Sequence, residues 1–202
     1  MIAIIDYGVG NLFSLSSSLN CLNIENKITK DAGEILSSDR VILPGVGAFK
    51  DAIDKLKESG LDKVLHQFAA TKKPILGICL GMQLLFERSF EYGNHIGLGL
   101  IKGVVAPLEK DIKSGLKVPQ MGWNEIDIIR QNKLFKYTKQ HDYLYFVHSY
   151  YAKECEESVI ATTEYSIPIT AAVASNNVFG TQFHPEKSGD AGLNILKAFS
   201  EI

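Results

Sequence analysis

Residues 74–86 read PILGICLGMQLLF. Pro74 to Ile78 is a short, continuous apolar run, the pattern of a strand buried on both faces. From Leu80 the run becomes helix-like. Between the two, Gly77-Ile78-Cys79-Leu80-Gly81 has the form G-x-nucleophile-x-G, a tight strand-to-helix turn that presents its central side chain. The flanking glycines let the two backbones approach without Cβ clashes. A thiol suits this position, because unpaired N–H groups and the positive end of the helix dipole favour thiolate. The N–H of Leu80 faces the charge that develops on an attacked carbonyl. A small buried core cysteine is the competing reading; the two glycines and the strand-to-helix setting favour a nucleophile.

Working outward, IAIID (2–6) reads as another buried strand, followed by a YGVGN turn. The next stretch places Leu12, Leu15, Leu19 and Leu22 on nearly one helical face. RVILPG (40–45) is a strand, and AFKDAIDKLKESG (48–60) an amphipathic helix closed by Gly60. LDKVLHQFAATKK continues as a helix up to Pro74. Strands alternating with helices predict βαβ units and a parallel sheet covered on both faces. From about Ile96 the character changes to strand-like pieces with short polar breaks: GLGLIKGVVAPL, NEIDII, YLYFVHSYYA, SVIATTEY, PITAAVASN and VFGTQFHPE. These predict an antiparallel or mixed extension, with DAGLNILKAF as a closing helix. The expected fold is one α/β domain over residues 1–202, with a central, mostly parallel sheet flanked by helices.

The formal charge of −2 and the absence of Lys or Arg runs speak against nucleic acid or an acidic membrane as partner. The apolar start ends at Asp6, too short to cross a bilayer, and lacks a basic leader. The three cysteines, Cys21, Cys79 and Cys155, form no CxxC pair, so neither a disulfide framework nor a structural zinc site is expected. A reduced, cytoplasmic setting without metal or cofactor is the expectation. DYGVGN (6–11) fails the dinucleotide fingerprint, because position 13, where a small residue is needed, holds Phe13.

A cysteine nucleophile needs a base. His66 falls in a helix pattern, and His95 and His141 fall in polar loops. His148, after a strand in YFVHSYY, is a rival to His184 in GTQFHPEKS. Pro185 pushes His184 into an extended conformation, so His184 and Glu186 are predicted to face one side. Glu186 would then orient the imidazole, completing a Cys79–His184–Glu186 triad. The loop LPGVGAF (43–49) ends a neighbouring parallel strand, where reactive sites of such sheets gather. Gly45 and Gly47 could turn a backbone N–H toward the site; a plain strand-to-helix turn fits equally well.

Taken together, GICLGMQ (77–83) and His184-Pro185-Glu186 resemble the class I, triad-type glutamine amidotransferases. DYGVGN, PGVGAF, MGWN (121–124), FVHSY (146–150) and GTQFHPEKS follow in an order that narrows the resemblance to glutaminase subunits serving a separate (β/α)₈ cyclase. The resemblance covers nearly the whole chain. It implies L-glutamine as substrate, an oxyanion site from Leu80 and the Gly45–Val46 loop, and a glutamine-binding wall of Gln83, His148, Ser149 and Tyr150. It further implies a heterodimer with the cyclase, with Trp123, Asn124, Tyr145 and Lys187 at or near the docking face. For Trp123 an ordinary anchor, and for Lys187 a solvated charge, are the plainer readings. Two alternatives stay open at this point: a glutaminase feeding another synthase, such as one amidating a surface sugar, and a non-hydrolytic binding or redox-sensing module.

Overall fold

The computed structural model describes residues 1–202. The first half alternates strand and helix: β1 (Ile2–Ile5), α1 (Leu12–Cys21), β2 (Asn26–Thr29), α2 (Ala32–Ser37), β3 (Arg40–Leu43), α3 (Phe49–Glu58), α4 (Leu61–Ala70) and β4 (Ile75–Ile78). One residue later comes the five-residue α5 (Leu80–Leu84). The second half is mostly strand: β5 (Phe86–Ser89), β6 (His95–Ile96), β7 (Ile101–Pro107), β8 (Gln120–Glu125), β9 (Asp127–Ile128), β10 (Tyr143–His148), β11 (Tyr150–Lys153), β12 (Val159–Glu164), β13 (Pro168–Ser175) and β14 (Val178–Thr181), before α6 (Gly189–Ser200).

Eight strands form the main sheet in the order β2-β1-β3-β4-β14-β13-β12-β9. The run from β2 to β14 is parallel, and β14 to β9 is antiparallel. The four inner parallel strands, β1, β3, β4 and β14, are buried almost along their whole length because both faces are covered. Ala3, Ile5, Val41 and Ile75 pack with Phe49, Leu56, Leu65 and Phe68 on the α3–α4 side. Ile2, Ile4, Ile42 and Leu76 pack with Leu15, Leu19, Ile195 and Phe199 on the α1–α6 side. The remaining strands form a four-stranded sheet, β11-β7-β5-β6, and a β10-β8 pair.

Three local features depart from the sequence reading. β2 and α2 carry little apolar signal, since β2 is an edge strand with Lys27 and Ile28 exposed and α2 buries only Ile35. The helix after Cys79 stops at Leu84 and the chain continues as β5, so the helix-like pattern is a single turn and a half. YLYFVHSYYA is two strands: it breaks at Ser149, where β10 pairs with β8 and β11 with β7.

The last strand, β14, lies between β4 and β13, with Gly180 opposite Gly77 and Thr181 opposite Ile78. The Cys79 N–H extends this pairing by donating to the Thr181 carbonyl at 2.7 Å. Chain segments about a hundred residues apart therefore end side by side. The paired glycines make room for Met82: a Cβ on Gly77 would lie 2.7 Å from Met82 Cα, and one on Gly180 would lie 2.4 Å from Met82 Cγ. Gly81 presses α5 onto β3, where a Cβ would fall 1.8 Å from the Leu43 carbonyl oxygen. That obstacle is backbone and cannot rotate away. Gly81→Ala is expected to lower stability by about 1–3 kcal/mol or more, read as a fall in the urea midpoint. An unchanged midpoint would show that the helix does not need this close approach.

Candidate active site

Cys79 alone joins β4 to α5, with φ 54° and ψ −112°. A positive φ is unusual for a residue with a Cβ, and such strain persists only where the surroundings enforce it. Here the β14 hydrogen bond holds the N–H of Cys79, and the glycine contacts hold the turn beyond it. The first intrahelical bond of α5 runs from Gln83 N–H to the Cys79 carbonyl, so Leu80 N–H precedes it and has no partner within the helix. The Cys79 Sγ lies 3.9 Å from the Val147 carbonyl and accepts from Gln182 Nε2 at 3.7 Å.

His184 follows β14 by three residues. Its backbone N–H donates to the Tyr145 carbonyl at 2.9 Å, and its own carbonyl accepts from the Ser188 hydroxyl, whose oxygen accepts from the Tyr145 N–H. His184 is extended, as expected, but Glu186 lies in a 3₁₀ turn, Pro185–Lys187. The turn, rather than strand alternation, carries the carboxylate back under the ring. His184 Nδ1 donates to Glu186 Oε1 at 2.8 Å, with both side chains almost wholly buried. That proton assignment leaves Nε2 facing the cavity it shares with Cys79, without a hydrogen bond of regular geometry. Burial opposes the charged ring, but Cys79 and Glu186 outweigh it and raise the imidazole from its ordinary value to about 9.

The cavity above the sulfur has a volume of about 280 Å³ and is lined by Val46, Gly47, Leu80, Gln83, Glu91, Pro119, Val147, His148, Ser149 and Tyr150 as well as Cys79 and His184. A larger cavity, about 610 Å³, opens among Lys72, Asn132, Lys133 and Asn177 at the opposite, amino ends of β4 and β14, and holds none of the predicted site residues. His148 belongs to the cavity wall. Its Nδ1 donates to the Tyr150 carbonyl at 3.0 Å, and burial lowers its pKa to about 4, which keeps the ring neutral at pH 7. Ser149 and Tyr150 flank it. Both Nε2 protons of Gln83 are used, one on the Tyr150 carbonyl and one on Gln182 Oε1, each at 3.0 Å.

Val46 lines the main cavity, whereas Gly45 lies below it, packed so closely that a Cβ would fall 2.7 Å from Gly81 N. Tyr7 fixes this loop by donating to the Pro44 carbonyl at 2.8 Å. Burial first, and the nearby Cys79 second, push the Tyr7 phenol far above its ordinary pKa, so it remains a donor. Of the four residues placed at a docking face, Trp123 and Tyr145 meet edge-to-face at 6.0 Å on the outer side of the β8–β10 pair, and Lys187 Nζ lies 6.0 Å from the Tyr145 ring. Asn124 pairs with the buried Leu144 and so projects from the opposite face. Met121, more exposed than Trp123 (63% against 52%), extends the outer strip toward the cavity residue Val147.

Three residues around the site escaped the sequence reading. Gln182 and Tyr7 needed the strand order to be recognised as neighbours of the sulfur and the loop. Glu91, the only carboxylate on the cavity wall, accepts from the Phe49 N–H at 2.6 Å, and partial burial raises its pKa. It sits in a polar stretch after β5 with no motif around it.

A family model described as glutamine amidotransferase class-I matches residues 3–201. The chain belongs to the class I glutamine amidotransferases. Its relatives include proteins named imidazole glycerol phosphate synthase subunit HisH. The one from Listeria monocytogenes serotype 4a is 52% identical, over all of this chain and 96% of the relative. The one from Oceanobacillus iheyensis is 48% identical, over all of this chain and 99% of the relative. The one from Wolinella succinogenes is 46% identical over the full length of both. Among solved structures, one described as a glutamine amidotransferase superposes with a TM-score of 0.76 at 16% identity, covering both chains completely. PurLQS from Thermotoga maritima also gives 0.76, at 18% identity, covering 99% of this chain and 97% of the other. At that identity these structures speak for the amidotransferase fold alone.

The pH behaviour of the buried pair follows from its sign. A histidine raised from about 6.5 to about 9 contributes stability that is complete below 6.5 and is lost as pH rises through 9. Glu186→Gln removes one of the two groups that raise it. The ring's titration midpoint, followed by NMR, is expected to fall, and the loss of stability between pH 6.5 and 9 to become shallower. An unmoved midpoint would mean that the carboxylate does not hold the charged ring.

Proposed function

We propose that this chain is the glutaminase subunit of an imidazole glycerol phosphate synthase, hydrolysing L-glutamine and handing the ammonia to a separate (β/α)₈ cyclase. The observation that carries the chemistry is the buried His184–Glu186 pair, whose free Nε2 opens on the same cavity as the strained Cys79. The near-half identity to the synthase subunits over the whole chain supports the assembly.

In this account the Cys79 thiolate attacks the side-chain amide carbon of glutamine, and the carbonyl electrons move to oxygen beside Leu80 N–H and the Val46 segment. His184 Nε2 passes its proton to the leaving nitrogen as the C–N bond breaks, releasing ammonia and leaving a γ-glutamyl thioester. A water then gives a proton to the same nitrogen, attacks the thioester and frees glutamate. The carboxylate of Glu91 suits the substrate's α-ammonium. Gln83, with its protons already committed, offers only its carbonyl oxygen to substrate N–H groups.

Ammonia released into neutral water would be protonated and lose its nucleophilicity, so the acceptor must lie against the site. The outer strip of Met121, Trp123, Tyr145 and Lys187 adjoins the cavity and suits such docking. On the partner, ammonia would react with a phosphoribulosyl formimino carboxamide ribonucleotide, giving imidazole glycerol phosphate and an aminoimidazole carboxamide ribotide.

Ammonia release from glutamine should be weak for the chain alone and faster with the cyclase and its nucleotide ligand. Cys79→Ala should lower it at least about a thousandfold in that complex, with the fold unchanged by circular dichroism. Undiminished turnover by the folded variant would end the proposal.

A further inference from the structure

Gln182 is fully buried at the first position beyond β14, directly beside Cys79 at the end of β4. A buried amide must satisfy two donors and an acceptor, and its orientation is set by whichever neighbour takes the carbonyl. Here that neighbour is Gln83, on α5. Its Nε2 donates to Gln182 Oε1 at 3.0 Å and to the Tyr150 carbonyl at 3.0 Å. The Tyr150 carbonyl can only accept, so the Gln83 amide cannot reverse without placing oxygen against oxygen. With the Gln182 carbonyl taken, its NH₂ is turned toward Cys79 Sγ, 3.7 Å away. The sulfur's other polar neighbour is the Val147 carbonyl at 3.9 Å, which can accept from a thiol but offers nothing to a thiolate.

We propose that Gln182 is a catalytic hydrogen-bond donor to the Cys79 sulfur, and that Gln83 is the positioning residue that aims it. This goes beyond the Cys79–His184–Glu186 chemistry and rests on that reading only in taking Cys79 as the nucleophile. A donor held on the sulfur favours the thiolate without being consumed, and it stays in place while His184 moves its proton to the leaving group. The two glutamines link the nucleophile to the β10–β11 junction that forms the substrate wall, through side chains from α5 and from the end of β14. The other ionisable groups around the sulfur and its cavity are His184 with Glu186 behind it, Tyr7 on the loop after β1, His148 at the end of β10, Tyr150 at the start of β11, and Glu91 in the stretch after β5. None of them hydrogen-bonds the Gln182 side chain, whose polar partners are Gln83 and the Cys79 sulfur.

The test is the pH–rate profile for alkylation of Cys79 by iodoacetamide, followed by mass spectrometry on the full chain and needing no glutamine. Gln182→Met keeps the length of the side chain and removes the donor. Its profile is expected to move upward by about one pH unit, with alkylation about tenfold slower at pH 7. Gln83→Met should move the profile the same way by less, and the double variant should match Gln182→Met alone. A Gln182→Met profile superimposable on the parent's, with the protein folded, would overturn the donor. Fully additive shifts in the double variant would overturn the aiming role of Gln83. Ammonia release assayed in parallel separates the two readings. A parent inactive on glutamine in the complex would sink the glutaminase account, while the alkylation profiles would still decide the hydrogen bond.

Discussion

The parallel pairing of β4 with β14 is the constraint on which the rest of the site depends. Strands in a parallel sheet end on the same edge, so pairing them in register brings whatever follows each strand together. After β4 comes Cys79; after β14 come Gln182, His184 and Glu186. The pairing is close because Gly77 and Gly180 face each other and admit Met82 over them. Side chains at those positions would lift α5 from the sheet and move the sulfur with it. Sheet topology and nucleophile geometry are one feature here.

Electrostatics then gives the two halves of the site different tasks. Glu186, dry and bonded to Nδ1, fixes the tautomer of His184 and favours its charged form, which leaves the outer nitrogen open to the cavity. His148, on the same cavity, is treated oppositely: burial without a carboxylate keeps it neutral. Two histidines within one cavity are thus held in opposite protonation states by their surroundings. The loop after β3 is held from below by Tyr7, so the DYGVGN turn contributes an anchor for the Val46 segment, in keeping with its failure to match a nucleotide-binding fingerprint.

Much of this was legible in the sequence. Continuous apolar runs marked the parallel strands because both faces are covered, and the glycines around Cys79 marked a turn that only a close backbone approach requires. The HPE run signalled an imidazole beside a carboxylate, although a 3₁₀ turn rather than strand alternation brings them together. The illegible parts have physical causes. β2 and α2 bury too little apolar surface to leave a periodic signal. The break at Ser149 is set by two different pairing partners, not by a turn residue. Gln182 and Glu91 meet partners distant in sequence, Cys79 and Phe49, so no local pattern could announce them.

The most direct measurement is a crystal structure of the chain after reaction with a chloroketone analogue of glutamine. The account predicts one covalent bond, from Cys79 Sγ to the analogue, with His184 Nε2 within hydrogen-bond reach of the adduct, the Glu186 contact intact and Glu91 against the amino group. A label on another residue, or an adduct on Cys79 with the His184 ring remote from it, would contradict it.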